Sequence, residues 1–498
     1  MSLHSILYAT LYLSAGYILS GYVRNVFFHP LRAFPGPRLA SMSILYRAYY
    51  DVVKNGGLLN QIKFLHEIYG PVIRIGPNEL HFSDPSAYHK NYAPGSSFVK
   101  DPFLYRCFMQ SQESSFTFMD PQESRVRREM LNPLFSRRAI LKLENVIQEK
   151  IDKLVNRITS YPGKVVNISL AFRCATVDII SSYCFAESIE ALDEEEFQSP
   201  FVKGTLRFTK FAWLIKYFPF IGQLFLSMPV WLAKRCDPSY DTFRALHIQV
   251  SKQVDHYLEN EVALENAEHE VVYHHLIKPK NGKGYSTPSR ESLNNEVLIL
   301  LQAGSETVGA ACTVGTFYAT KNAAICKRLV SELRNAWPDI NTIMPYTSLE
   351  KLPYLTAVIK ESLRITCGVV TPLPRIVGPG NAEIAGYPIP AGTVVSIGAT
   401  FVHGNSTIFR DPDSFYPERW LEEDTSEMEK YFVPFSRGPR MCLGINLAWC
   451  ELYLLFGNIF RKLEVDLTNT NIQDFKEFTE HFSPAYETFY AQVERVIL

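Results

Sequence analysis

Cys442 stands in the run Phe435-Ser436-Arg437-Gly438-Pro439-Arg440-Met441-Cys442-Leu443-Gly444. One cysteine is framed by two glycines and an arginine, just ahead of an apolar stretch with helical periodicity. Such a frame suits a buried thiolate. Gly438 and Gly444 let the backbone turn tightly and pass close to a flat group. A helix beginning after Gly444 aims free N–H groups and its positive dipole end at the sulfur. Arg440 adds a fixed positive charge for an acidic group nearby. The chemistry this permits is axial ligation of iron by sulfur, the arrangement that favours O–O cleavage. The competing reading is an inert structural thiol.

A second reactive set is Ala303-Gly304-Ser305-Glu306-Thr307, with Val297-Leu298-Ile299-Leu300 before it and Val308 to Val314 after. An acid and an alcohol inside an apolar helix cost free energy unless they are used or paired. Gly304 removes bulk and lets a planar cofactor or ligand approach. Glu306 and Thr307 are placed to deliver protons to bound dioxygen. The plain alternative is a local kink with the hydroxyl bonded back to its own helix. Third, Glu361-Ser362-Leu363-Arg364 puts opposite charges three residues apart on one helix face. Arg419, in Pro417-Glu418-Arg419-Trp420, is a third member for that pair.

These segments, in this order, resemble the cytochrome P-450 family. Phe-x-x-Gly-x-Arg-x-Cys-x-Gly, its haem-binding signature, is matched without a gap. The Ala303–Thr307 run is similar to its distal-helix motif. The Glu361 and Pro417 segments are similar to the elements that brace its proximal side. The resemblance runs from about residue 28 to the C-terminus. Phe27-Phe28-His29-Pro30-Leu31 and Asn132-Pro133-Leu134-Phe135-Ser136 look like fungal microsomal members, nearest to a trichodiene-oxygenase-like group of secondary metabolism.

The resemblance implies a mainly α P-450 fold with small β-sheets. It implies haem b with Cys442 as the metal ligand, and Phe435, Gly438, Gly444, Ala303 and Gly304 about the cofactor. Arg440, Arg375 and Arg128 would hold the propionates, with Arg127 the alternative to Arg128. Thr307 and Glu306 would be the catalytic pair. The family usually carries Trp or His four residues before that last arginine, and here the residue is Ser124. His403 is either a family histidine or a packed structural one. The implied activity is insertion of one atom of dioxygen into a lipophilic substrate, a terpenoid or other secondary metabolite. Electrons would come from NADPH-cytochrome P-450 reductase, docking near Arg437 and Lys430. Two other activities share such a site. A haem-thiolate isomerase or dehydratase would turn over without NADPH. A non-catalytic haem-binding membrane protein would not turn over at all.

The rest of the chain must position these groups. It has 498 residues, 47% hydrophobic and 13% aromatic. That is ample for a large core. A net charge of -1 argues against nucleic acid as a partner. Nine cysteines with no Cys-x-x-Cys fit a reducing compartment. Ser5 to Val23 carries no charged residue. As a helix it would span about 28 Å, close to a bilayer core. Arg24, Arg32 and Arg38 follow it, which places the remainder in the cytoplasm. The expectation is therefore a single-pass anchor in the endoplasmic reticulum membrane, in contact with lipid, over residues 1–24. A proline-rich hinge follows at 25–40, then one catalytic domain at 41–498. Alternation predicts a hairpin over 72–82. Helical patterns cover 122–135, 140–159, 167–187, 197–216, 238–265, 290–320, 322–336, 348–365 and 444–462. Three segments should line the substrate pocket: the aromatics of 98–118, those of 201–231, and Val369-Val370-Thr371.

Overall fold

The structure is a computed structural model describing residues 8, 12, 16, 19–111, 113–161, 163, 165–236, 240–278, 284–467, 478–486 and 489–495. The long helices are α1 (Leu58–Tyr69), α2 (Pro121–Leu131), α3 (Glu144–Thr159), α4 (Ile168–Phe185), α5 (Pro200–Tyr217), α6 (Tyr240–Glu259), α7 (Arg290–Lys321), α8 (Ala323–Ala336), α9 (Pro353–Thr366) and α10 (Ile445–Lys462). Each of the nine expected patterns contains a helix, but several edges move: α2 stops at Leu131 where the pattern ran to 135, α5 starts at Pro200 where it began at 197, and three further changes have a visible cause. Leu143 leaves helical geometry (φ -108°, ψ 17°) and divides the 140–159 pattern into Arg137–Lys142 and α3. Asn260 (φ -129°, ψ 91°) does the same after α6. Pro353 opens α9, so the 348–365 pattern begins late. A proline fits the first turn because its missing N–H would have no partner there.

α7 is 32 residues long and runs through the middle of the molecule. At the usual rise per residue its length is about 48 Å. Ser289 caps its start by accepting from the Ser292 N–H. Asn322 ends it and caps α8 through the Ala324 and Ile325 N–H groups. α4 has apolar residues on every face, and all its residues except Leu170 are buried. The two helices pack so closely that a Cβ on Gly304 would lie 2.5 Å from the Ile180 side chain. Gly304 is thus required by helix packing. A side chain there would force Ile180 to move, a packing reason that stands beside the expected approach of a planar ligand.

Five strands form a sheet: β1 (Val72–Gly76), β2 (Glu79–Phe82), β3 (Val99–Lys100), β4 (Arg375–Ile376) and β5 (Val394–Ser396), in the spatial order β1-β2-β5-β4-β3. β1 and β2 are the predicted hairpin. The antiparallel register of β3 and β4 sets Lys100 directly opposite Arg375. Paired residues of that kind share a face of the sheet, so two cations are brought side by side. Near the C-terminus, β6 (Thr479–His481) pairs with β7 (Ser483–Ala485), leaving Phe482 alone at the turn.

The N-terminal segment is helical at Tyr8, Tyr12, Gly16 and Leu19–Val23; the rest of the expected membrane span lies outside the described residues. Two described helices are long and apolar enough to cross a bilayer, α4 and α7. Both are core helices, buried over 94% and 72% of their apolar windows.

Candidate active site

A cavity of about 290 Å³ opens between α4, α5, α7, the start of α10 and the β6–β7 turn. Cys442, Phe435, Gly444, Ala303, Gly304, Glu306, Thr307, Arg128 and Arg440 all lie on its wall. The residues predicted to work together are therefore gathered in one place. Gly438 and Arg375 stand just behind that wall.

The loop before Cys442 is held at both ends. The Cys442 N–H donates to the Phe435 carbonyl at 2.8 Å. Gly438 has φ +73°, and a Cβ there would collide with the Tyr92 carbonyl. Glycine is therefore required. Tyr92 in turn donates its hydroxyl to Leu373 O at 2.6 Å, and its ring lies 4.9 Å beneath the Arg375 guanidinium. Gly444 is different. Its φ is -85° and a Cβ would meet nothing within 4 Å, because the position faces the open cavity. Gly444 lies in the turn that leads into α10 without a left-handed φ, and it keeps space clear on the cavity side.

Cys442 is exposed, but only to the cavity; dense protein surrounds it on its other sides. Burial pushes its thiol above the ordinary value, while the Gly444 N–H and the Arg128 charge pull it back. The frame by itself therefore does not make the thiolate that its dipole and glycines suggested. A coordinated metal cation would supply the missing stabilisation of the thiolate.

On the opposite wall, Thr307 donates its Oγ1 proton to the Ala303 carbonyl at 3.2 Å, within its own helix. Glu306 turns towards α4, where Arg173 grips it with two hydrogen bonds: Nε to Oε2 at 2.8 Å and Nη2 to Oε1 at 2.7 Å. Arg173 was not anticipated. Its signal was a lone arginine in the otherwise uncharged run 168–177.

Four cations converge at one end of the cavity. The Arg128 side chain makes no hydrogen bond or ion pair among the described residues. Arg375 donates to Pro374 O at 3.0 Å and Tyr105 Oη at 3.4 Å. Arg440 donates to Asp120 O at 3.1 Å, its Nη1 is buried without a partner, and burial with Arg375 beside it lowers its pKa to about 10. Lys100 is the fourth and was missed, because a lone lysine beside a strand reads as surface. It is 4% exposed, donates to the Phe116 carbonyl, and stacks on Tyr105 at 4.2 Å. Burial, then Arg375, Arg440 and Arg128, push its pKa far down. None of the four pairs with a carboxylate among the described residues. Buried charge of one sign without a counterion is costly. The donor set therefore fits a flat cofactor bearing two carboxylates.

Arg127, the alternative to Arg128, is engaged elsewhere. Arg127 points away from the cavity, with Nη1 on Glu296 Oε2 at 2.8 Å and Nη2 on Ser292 Oγ at 2.7 Å. Ser124, wholly buried, donates to Ser115 O at 3.2 Å, and Ser115 donates to Glu296 through both N and Oγ. Position 124 therefore props the 113–119 loop in place of touching the cavity.

Two supporting predictions have clear outcomes. Arg364 grips Glu361 through Nη2 at 2.8 Å and Nε at 3.0 Å, and Arg419 closes the triad at 3.2 Å. His403 is a packed histidine. Its Nε2 accepts the Val433 N–H at 2.9 Å, and burial beside Arg364 lowers its pKa to about 3. The pocket aromatics are fewer than expected. Of the 98–118 set, Phe108 and Phe116 reach the cavity; of the 201–231 set, Trp213 does. Phe103 stacks instead on Arg106 and Arg47, and Val370 is core. Val369 and Thr371 line the cavity as predicted.

The sequence profile of the cytochrome P-450 family matches residues 45–489. Relatives agree along nearly the whole chain. Cytochrome P-450 monooxygenase macH of Penicillium terrestre is 36% identical, covering 96% of both chains. Tryptophan 6-hydroxylase fscE of Fusarium equiseti is 34% identical over 93% of this chain and 91% of its own. N-acetyltryptophan 6-hydroxylase ivoC of Emericella nidulans is 32% identical over 92% and 90%. Cavity, sulfur, unpaired cations and these likenesses lead to one conclusion: the chain belongs to the cytochrome P-450 family of haem-thiolate monooxygenases.

Proposed function

We propose that this protein inserts one atom of dioxygen into a lipophilic substrate of fungal secondary metabolism, a terpenoid or another secondary metabolite. The observation that carries the proposal is the cavity itself, where the Cys442 sulfur, the Glu306–Thr307 pair, Lys100, Arg128 and Arg440 share one wall, with Arg375 just behind it. Haem b, when bound, supplies the iron at which dioxygen is activated. Cys442 would hold the iron through its sulfur. Arg440, Arg375 and Arg128 hold its carboxylates, and Lys100 joins them. Phe435, Gly438 and Gly444 would shape the loop on one side of it, and Ala303 and Gly304 the helix facing that loop.

The remaining work belongs to the polypeptide. Thr307 presents a hydroxyl whose proton is parked on Ala303 O and is free to rotate towards the cavity. Glu306 relays a proton to that hydroxyl only after releasing at least one Arg173 hydrogen bond. Apolar and aromatic walls exclude water and orient the substrate. Among the relatives, two carry names of tryptophan and N-acetyltryptophan hydroxylases, which suits an aromatic-lined site. Electrons come from NADPH through its flavoprotein reductase, which docks beside Arg437 and Lys430. Residues 1–24 anchor the protein in the endoplasmic reticulum membrane, 25–40 form the hinge, and 41–498 face the cytoplasm as the catalytic domain.

The test is the carbon monoxide complex of the reduced protein. A Soret band shifted far to the red, lost in Cys442→Ala, is expected. Its survival in that variant would remove Cys442 as ligand.

A further inference from the structure

The turn between β6 and β7 holds a bulky residue in a conformation that costs energy. Phe482 has φ +72°. This is the left-handed region that large side chains seldom enter. Glycine would sit there without strain. Strain of this kind persists where the surroundings impose it, and it clusters at ligand sites. Here the Phe482 carbonyl accepts the Val370 N–H at 3.0 Å and the Thr371 N–H at 3.4 Å, which fixes the turn. The ring is thereby delivered to the cavity wall.

It meets two other rings there. Phe482 stands edge-to-face on Phe108 (5.3 Å, 78°) and on Phe116 (5.8 Å, 86°). Phe108 and Phe116 stand edge-to-face on each other (5.3 Å, 84°). All three line the cavity, so its wall includes a closed triangle of aromatic faces and edges. Such a surface favours another π-system, whose quadrupole meets complementary edges, over a saturated ring of equal size.

A second wall carries an uncommitted polar group. Gln302 precedes Ala303 on α7 and lines the same cavity. Its side-chain amide makes no hydrogen bond with any described residue. A primary amide offers both donors and an acceptor. In a mostly apolar cavity such a group is costly to cover unless the ligand pairs with it.

We propose that the cavity selects a substrate with a flat aromatic or conjugated ring system, seated on Phe108, Phe116 and Phe482, and a carbonyl, amide or hydroxyl group paired with Gln302. This rests on the monooxygenase reading of the cavity and narrows it. A saturated hydrocarbon would use neither feature.

Titration of the holoenzyme, read as the ligand-induced change in its haem absorption, tests the idea with three probes: 2-acetonaphthone, its ring-saturated analogue and naphthalene. The aromatic ketone should bind about five-fold tighter than the saturated ketone. It should also bind about five-fold tighter than naphthalene. Phe482→Leu should erase the first preference and keep the second; Gln302→Leu should do the reverse. Phe108→Leu repeats the first arm at a site without backbone strain, should Phe482→Leu fold poorly. Equal affinities for all three probes, or preferences that survive every variant, overturn the proposal. If the red-shifted carbon monoxide band is present in the same preparation, such a result sinks only this selectivity. Absence of the band sinks the parent reading and this one together.

Discussion

Arg173 on α4 and Glu306 on α7 form a two-pronged ion pair, 2.7 and 2.8 Å long, with side chains only 8% and 12% exposed. The pair crosses the close contact between those two helices and ends beside Thr307. It ties the proposed proton donor to the core.

Removing one partner of a buried pair leaves the other charge without compensation. Arg173→Met should therefore cost about 3–5 kcal/mol of stability. Arg173→Lys keeps the charge but loses the planar fork, and should fall between that variant and wild type. Adding Glu306→Gln to Arg173→Met should recover part of the loss. Urea unfolding measures all three. An unchanged midpoint for Arg173→Met would show that the pair contributes nothing.

Among the described residues the Thr307 hydroxyl bonds only to its own helix, so the fold does not need it. Thr307→Ala should unfold within about 0.5 kcal/mol of wild type. Product formed per NADPH consumed should nevertheless fall at least about ten-fold, because proton transfer loses its last hydroxyl. Parallel assays of NADPH and product decide the point, and an undiminished ratio would exclude Thr307 from proton delivery.

Lys100 carries a pH signature. Burial and three neighbouring arginines lower its folded-state pKa. Between that value and the ordinary lysine value of about 10.4, the unfolded chain holds a proton that the folded, cofactor-free chain has lost. Stability of the cofactor-free protein should thus rise with pH across that window. Two cofactor carboxylates favour the charged amine, so haem binding takes up a proton and haem affinity should fall as pH rises. Lys100→Met should flatten both slopes. Haem-transfer titrations from pH 6 to 9 give the answer, and parallel slopes for both proteins would remove Lys100 from the cluster.

Gly304→Ala places a methyl group against Ile180. Overpacking of this kind costs about 1–3 kcal/mol. Ile180→Ala opens room, so the double variant should be more stable than the sum of the single losses predicts, by about 1 kcal/mol. Strict additivity in a denaturation cycle would mean that the two sites do not touch.

Glu451 is wholly buried on α10, with Oε2 lacking a partner among the described residues. Burial alone raises its carboxyl pKa well above the ordinary value. Between those two values the folded chain keeps a proton that the unfolded chain loses, so stability drains away as pH rises. Glu451→Gln should melt above wild type at pH 7 and level with it at pH 4. A lower melting temperature at pH 7 would contradict a neutral carboxyl.

The parts of the site readable in the sequence are the contiguous ones. The Cys442 loop, the Ala303–Thr307 motif and the Glu361–Arg364 pair each fit within a few turns of chain, where spacing translates directly into geometry. The long helices were readable for the same reason, through their apolar period. Lys100 acquires its meaning only from the β3–β4 register that faces it with Arg375. Arg173 acquires its meaning from a helix crossing, and Phe482 from a hairpin turn. Ser124 is instructive in reverse. It read as a lost cofactor contact, yet its hydroxyl supports the loop carrying Phe116. No local pattern encodes such long-range pairings, because tertiary packing decides them.

Tyr92 touches both halves of the cofactor site: its carbonyl backs Gly438, its ring backs Arg375, and its hydroxyl reaches Leu373. The bond to Leu373 alone spans 281 positions of the chain. Synthesis proceeds from the N-terminus at roughly 5–20 residues per second. The nascent chain thus completes Lys100 and Arg128 long before Arg375, Arg440 and Cys442 leave the ribosome. Haem capture is consequently a late event in the life of the polypeptide. Until the last segment arrives, the proposed sulfur ligand and two of the three arginines proposed to hold the carboxylates are missing.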